Sequence, residues 1–343
     1  MRIARQVATI AMSLAGLAIA ASPGAGMAQG KTAVPMVLIS QANEAGFPLW
    51  LARKLNYFAD NGIDAKIQYF PSGGAALASG AAGDWQGGWI GSPPAITGWA
   101  KFGLIPAGTM MKEDRNIKLV MRKDALKGSS PKDVLMSKPI GSVPNSTWSQ
   151  VLFACAKHFG ADPDKMKVVP LAPPVTRQSL RSGEIAAGTT DSSPDYDLVM
   201  DKANFEVVCD GAVAKTSVID PYVVTTPFAK ANPEAAAGFI EAAFRANELI
   251  MSDREKAVGY LLEFYKDVGI DGDETKARYT LDYRDYQTLD QALADMRSGA
   301  SEKALTETAQ VFVAGGAYDK VPDLKGAIKA GLPIVEAAKK LRK

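Results

Sequence analysis

The sequence predicts an α/β protein built as two doubly wound lobes joined by a two-segment hinge. Three observations predict it. The chain repeats itself at an offset of about a hundred residues, Leu77-Ala78-Ser79-Gly80 being answered by Leu180-Arg181-Ser182-Gly183 and Ser92-Pro93 by Ser193-Pro194. Each copy carries the same order of elements: an apolar strand, a small-residue turn, an amphipathic helix closed by Gly, and a second strand. Beyond residue 226 the pattern is helical, so that region has to pack on a sheet made elsewhere.

The first copy opens with a strand at Val37-Leu38-Ile39 and the turn Ser40-Gln41-Ala42-Asn43. A helix follows from about Phe47 to Asn61, with Pro48 near its first position, where a missing N–H costs nothing. Phe47, Leu51, Leu55 and Phe58 keep helical spacing, Gly62 supplies the stop, and Ile63 to Phe70 reads as the second strand. Pro71-Ser72-Gly73-Gly74 turns into an Ala-rich helix, and Gly87 to Pro94 reads as a short strand and a turn into another helix. The second copy runs from Pro139 to Val143 through Pro144-Asn145-Ser146-Thr147, a helix from Trp148 to Phe159, Gly160, and a strand from Met166 to Leu171.

Ile117 to Arg122 is expected to be the first crossing between lobes and Tyr222 to Thr226 the return. The expected organisation is a leader over 1–28, a first lobe from 29–121 and 223–343, and a second lobe over 122–222. Asn232-Pro233-Glu234 is a strong helix start, combining an N-cap, Pro in the first turn and an acid near the positive end of the dipole.

Arg2 and Arg5, the apolar run Val7 to Ala21 and Gly26-Met27-Ala28 read as a cleavable export signal ending near Ala28. Its apolar run is shorter than the roughly 20 residues that span a bilayer. No Cys stands near the cleavage site to carry a lipid, so a periplasmic location is expected. Cleavage would remove two basic side chains and no acidic one, taking the formal charge from +2 to 2 − 2, about zero. A near-neutral chain offers no electrostatic footprint for nucleic acid or an anionic membrane. Cys155 and Cys209 read as two buried thiols, with a disulfide as the alternative.

In an open α/β sheet, ligands bind at the turns outside the carboxyl ends of the strands. Here those turns carry Ser, Thr, Asn, Gln and Gly and almost no Lys or Arg. Helix N-termini hold unpaired N–H groups and about half a positive charge, which suits an anion without a cationic side chain. Four or five hydrogen bonds to a charged oxygen, each about 1.5–3 kcal/mol, cover the ~8 kcal/mol of a micromolar complex after association costs. The expected guest is a small anion or zwitterion. Asn145-Ser146-Thr147-Trp148 is the sharpest motif: an N-cap with a core Trp, or a cradle for an oxyanion with Trp148 along the ligand's organic part. Trp85 and Trp89 read as core, and Asp191 as a turn cap that is also a candidate partner for a ligand amine.

Enzyme chemistry has little to build on. His158 is the one His and reads as a helix-end residue, so no Ser-His-Asp arrangement can be named. Separated cysteines give no Cys/His metal pattern, and Gly73-Gly74 lacks the Gly-Lys-Ser/Thr of a phosphate loop. No cofactor or metal is expected.

Together, Phe47-Pro48-Leu49-Trp50-Leu51-Ala52-Arg53, Asn61-Gly62-Ile63, Pro71-Ser72-Gly73-Gly74-Ala75, Gly83-Asp84, Ser92-Pro93-Pro94, Pro139-Ile140-Gly141-Ser142 and Asn145-Ser146-Thr147 carry a resemblance. In this order they resemble the nitrate/sulfonate/taurine family of ABC-transporter solute-binding proteins, from Val37 to about Ala246. The resemblance implies a type II periplasmic binding fold, hinge closure over a ligand, and delivery to an inner-membrane permease and its ATPase; the protein itself is expected to be a monomer. It implies ligand contacts at Gln41, Asn43, Gly73, Gly74, Ser92 and Ser146 to Trp148. The chain departs from the family at Gln86 and near Ile185-Ala186, where acidic residues are common. The expected ligand is a sulfonate, with an aromatic carboxylate, nitrate or a pyrimidine precursor as alternatives. An exported enzyme on the same fold and a ligand-sensing adaptor are the rivals from other classes.

Overall fold

The computed structural model describes residues 33–80, 83–191, 194–314 and 318–342. The leader and Ser193 of the repeat lie outside them. In chain order the elements begin with β1 (Val34–Gln41), α1 (Phe47–Lys54), α2 (Tyr57–Asp60), β2 (Ile63–Phe70), α3 (Gly73–Gly80), β3 (Gly87–Trp89), α4 (Ser92–Phe102), β4 (Leu104–Lys112) and β5 (Ile117–Arg122). There follow α5 (Pro131–Ser137), β6 (Pro139–Ser142), α6 (Thr147–His158), β7 (Lys167–Pro170), α7 (Pro173–Ser182), β8 (Ala187–Asp191), α8 (Tyr196–Met200), β9 (Phe205–Asp210) and α9 (Gly211–Ala214). The chain then returns through β10 (Ile219–Thr225), α10 (Thr226–Ala231), α11 (Pro233–Ser252), α12 (Arg254–Val268) and α13 (Glu274–Tyr283). It ends with β11 (Asp285–Tyr286), α14 (Leu289–Ser298), α15 (Ala300–Ala314) and α16 (Leu324–Lys340).

Two sheets share one topology. The six-stranded sheet runs β11-β4-β10-β3-β1-β2 and the five-stranded sheet β7-β6-β8-β5-β9. In each, three parallel strands (β2-β1-β3 and β7-β6-β8) meet one antiparallel strand, β10 or β5, followed by a further antiparallel strand. The repeat in the sequence is thus a repeat in space.

This arrangement corrects the two expected crossings. Ile117–Arg122 is an inner strand of the second sheet, and Tyr222–Thr225 belongs to an inner strand of the first. The connections between sheets are shorter: Glu113 to Asn116 going out, and the segment just before Ile219 coming back. They run side by side, with Glu113 N–H donating to Val218 O at 2.8 Å and Val218 N–H donating to Asp114 Oδ1 at 2.7 Å. A boundary at 121/122 cuts through β5, whose residues Ile117 to Met121, Lys118 included, are buried on both faces like those of any inner strand.

Other differences have local causes. The single helix expected from Phe47 to Asn61 breaks into α1 and α2 because Asn56 takes a left-handed conformation, φ +59°. The sequence pattern does not show strand β4, because Pro106, Gly108 and Thr109 interrupt its apolar residues, which the fold buries almost completely. Cys155 on α6 and Cys209 on β9 form a disulfide, with Cα atoms 6.0 Å apart, where two thiols were expected. His158 closes α6 on the surface, as expected.

The C-terminal helices do pack on the first sheet: α11, α12, α14 and α16 share one apolar core with β1, β4 and β10. Two of their neighbours also reach the second sheet's helices. Tyr279 on α13 lies edge-on to Tyr196 of α8 at 5.0 Å, and Phe312 on α15 to Phe153 of α6 at 6.3 Å.

Candidate functional site

A cavity of about 250 Å³ opens between the carboxyl ends of the two sheets. Gln41, Asn43, Gly73, Gly74, Asn145, Ser146, Thr147, Trp148 and Asp191 line it, drawn from both sheets as the turns predict. Ser92 is the exception. It is wholly buried, and its hydroxyl donates to Gln150 Oε1 of α6 at 3.3 Å, so it ties the halves together beside the cavity.

Two Ser-capped turns face the cavity. At α3, Ser72 Oγ accepts the N–H of Ala75 at 3.2 Å and Ser72 O accepts that of Ala76, which leaves the amides of Gly73 and Gly74 without an acceptor among the described residues. At α6, Ser146 and Ser149 form a capping box and the helical ladder starts at Gln150, which leaves the amides of Thr147 and Trp148 without an acceptor among the described residues. Asn145 precedes this turn with φ +47°, a conformation Asn tolerates better than most residues.

Close approach explains two glycines. A Cβ on Gly73 would stand 2.7 Å from Pro94 Cγ, so the α3 turn presses against the start of α4. A Cβ on Gly91 would stand 3.2 Å from Thr147 Cγ2, the point where the two halves meet at the cavity. Trp89 reaches the cavity wall while donating its indole N–H to Ser40 Oγ at 3.0 Å. Trp85 is core alone, donating to Ala76 O at 3.0 Å.

The floor is acidic, which the turn residues did not foretell. Glu113 and Asp220 line the cavity with Asp191, and all three are buried. Arg284, wholly buried in the turn before β11, donates through Nη2 to both carboxylate oxygens of Asp191 at 3.0 and 2.8 Å. Its Nε lies 3.4 Å from Glu113 Oε1, which also accepts from Asn116 at 2.9 Å. Asp191 is therefore paired inside the protein. Its own N–H donates to Asp195 Oδ2 at 3.0 Å, and Asp195 pairs with Arg177.

Titration follows the burial. Loss of hydration pushes the Glu113 carboxyl up to about 6, against the pull of Arg284. Burial, then the neighbouring Glu113, carries Asp220 well above the usual carboxylate range. Burial also takes Asp195 to about 6, with Arg177 holding it back. Burial works against the charge of Arg284, but the carboxylates of Asp191 and Glu113 outweigh it and raise its pKa. Among the described residues no group of three or more His, Cys, Asp or Glu is arranged to hold a metal ion.

Paired sheets of one topology, with a polar cavity between their carboxyl ends, define a solute-binding protein of the periplasmic binding fold. A family model described as NMT1/THI5 like matches residues 43–257, and the chain belongs to that family. It is similar to the taurine-binding periplasmic protein of Escherichia coli, 26% identical over 286 residues that cover 80% of this chain and 84% of the relative. Its fold matches the alkanesulfonate-binding protein SsuA of Xanthomonas axonopodis pv. citri bound to MOPS, with a TM-score of 0.68 and 17% identity over 86% of this chain and 97% of that one. It also matches the nitrate-binding protein NrtA of Synechocystis, with a TM-score of 0.71 and 11% identity over 90% of this chain and 89% of that one.

Proposed function

We propose that the protein is the periplasmic receptor of an ABC importer and binds a small organic anion, a sulfonate, between its two halves. The observation that carries this reading is the pair of Ser-capped turns, each with two spare amides at one cavity. A sulfonate has three oxygens to accept them, and helix N-termini favour its charge without a lysine or arginine. The taurine- and alkanesulfonate-binding names of its relatives support the same ligand class.

In the proposed mechanism, residues 33–112 with 219–342 form one lobe and 117–210 the other. The paired segments at Asp114 and Val218 act as the hinge. A ligand that touches both turns stabilises the closed form, which the membrane permease recognises and whose cargo its ATPase drives inward. The receptor acts as a monomer, after removal of its leader near Ala28, and no catalytic step is assigned to it.

Thermal shift against taurine, an alkanesulfonate, nitrate, an aromatic carboxylate and a pyrimidine tests this. A sulfonate at about a hundred times its Kd should add roughly 2.7 kcal/mol of stability. A response to nitrate or the pyrimidine alone removes the sulfonate assignment.

A further inference from the structure

The cavity carries a second polar end that the sulfonate reading leaves unused. Asp220 is buried on β10 at the cavity wall, and among the described residues its Oδ1 has no hydrogen-bond partner. That oxygen lies 3.5 Å from where a Cβ on Gly91 would stand, the same point that Thr147 of the α6 turn approaches. An unsatisfied acceptor therefore stands beside the place assigned to the anion.

The surrounding charges are accounted for by element. Asp191 of β8 is neutralised by Arg284 from the turn before β11. Glu113, at the end of β4, shares Arg284 at 3.4 Å. Glu44, ahead of α1, and Tyr286 of β11 act on Arg284. Asp220 and Glu113 are hydrogen-bonded to each other through their side chains. Ionised carboxylates are acceptors only, so that bond requires a proton on one of the two.

We infer that the occupant is a zwitterion, whose anionic end meets the α3 and α6 turns and whose ammonium docks on Asp220, expelling the proton it shares with Glu113 to solvent. This rests on the sulfonate reading for the anionic end only. The ammonium supplies the donor that Oδ1 lacks, and its positive charge takes over the role of the lost proton. Burial that holds this proton on the pair at neutral pH also makes an uncharged ligand tail a poor substitute, because it leaves the acceptor dry and unsatisfied.

The test is calorimetry on the mature protein with taurine, isethionate, ethanesulfonate and β-alanine at pH 7. Taurine is expected to bind at least 30-fold more tightly than ethanesulfonate, with isethionate between them. Repetition in two buffers of different ionisation enthalpy should count close to one proton released per taurine and none per ethanesulfonate. In Asp220→Asn the taurine advantage should shrink below threefold, and Glu113→Gln should abolish the proton release. Binding of β-alanine without any sulfonate removes the sulfonate reading and keeps the zwitterion. Ethanesulfonate binding as tightly as taurine, taurine binding without proton release, or a panel in which no amine-bearing member binds overturns the inference.

Discussion

Residues 72–74 and 172–174 occupy matching places in two sheets of one topology, ahead of the helix that follows each second strand. Ser72-Gly73-Gly74 lines the cavity and leaves two amides without a protein acceptor among the described residues. Ala172-Pro173-Pro174 opens α7 without a side-chain cap, and its two prolines carry no N–H at all. The turns after the first strands are used the opposite way. In the second sheet Ser146-Thr147-Trp148 supplies two amides. In the first sheet the chain after Asn43 winds into a short 3-10 turn that consumes them: Asn43 Oδ1 takes the N–H of Ala45 and Asn43 O that of Gly46. A duplicated fold thus delivers one donor turn from each half, at places that do not correspond. The two halves present different faces to the cavity between them.

The halves also differ in how they are held. The six-stranded half shares a large apolar core with the C-terminal helices, while the five-stranded half has a smaller core and the Cys155–Cys209 disulfide. The largest expected effect follows from that. Closing a loop across a separation of 54 residues contributes about 4 kcal/mol by chain entropy. Cys155→Ala with Cys209→Ala should lower the unfolding free energy by roughly that amount, read by urea titration, while sparing the cavity.

The next effect isolates the α6 donors. Thr147→Pro deletes one amide at the first helical position, where Pro is tolerated, and Ser146 already has the extended backbone (φ −133°, ψ 169°) that Pro demands. Losing one charge-assisted bond of about 1.5–3 kcal/mol should weaken sulfonate binding about 10- to 100-fold with little change in melting temperature. Unchanged affinity moves the anion away from this turn.

A pH effect comes third. Glu113 is held at about 6 in the folded protein and ionises near 4.5 when unfolded. Between those values the folded chain holds the proton and the unfolded chain does not, so this group's contribution to stability falls as pH rises from about 4.5 through about 6. Glu113→Gln removes that fall. Its melting temperature relative to the parent should therefore climb across the window, and a constant difference contradicts the assignment. The smallest effect is Pro174→Ala, which restores an amide to α7 outside the cavity lining and should leave affinity within about twofold.

Much of this was legible in the sequence where the signal is local. Capping Ser, turn Gly and the strand–turn–helix order read correctly because each rests on a few adjacent residues. Gln41, Asn43, Gly73, Gly74 and the Asn145–Trp148 turn all reach the cavity for that reason. The acidic floor was not legible. Arg284 and Asp191 meet across 93 residues, and Glu113 and Asp220 come together only because two crossings run side by side. Strands β5 and β10 looked like linkers because their partners lie on the far side of an inserted domain's worth of chain. The disulfide was a matter of Cα separation, which no spacing rule supplies.

The most direct test is a titration of the 15N-labelled protein with taurine, followed at the backbone amides of Gly73, Gly74, Thr147 and Trp148. The account predicts that all four resonances shift together with one dissociation constant. Movement of only the α3 pair, or only the α6 pair, contradicts a ligand gripped from both halves.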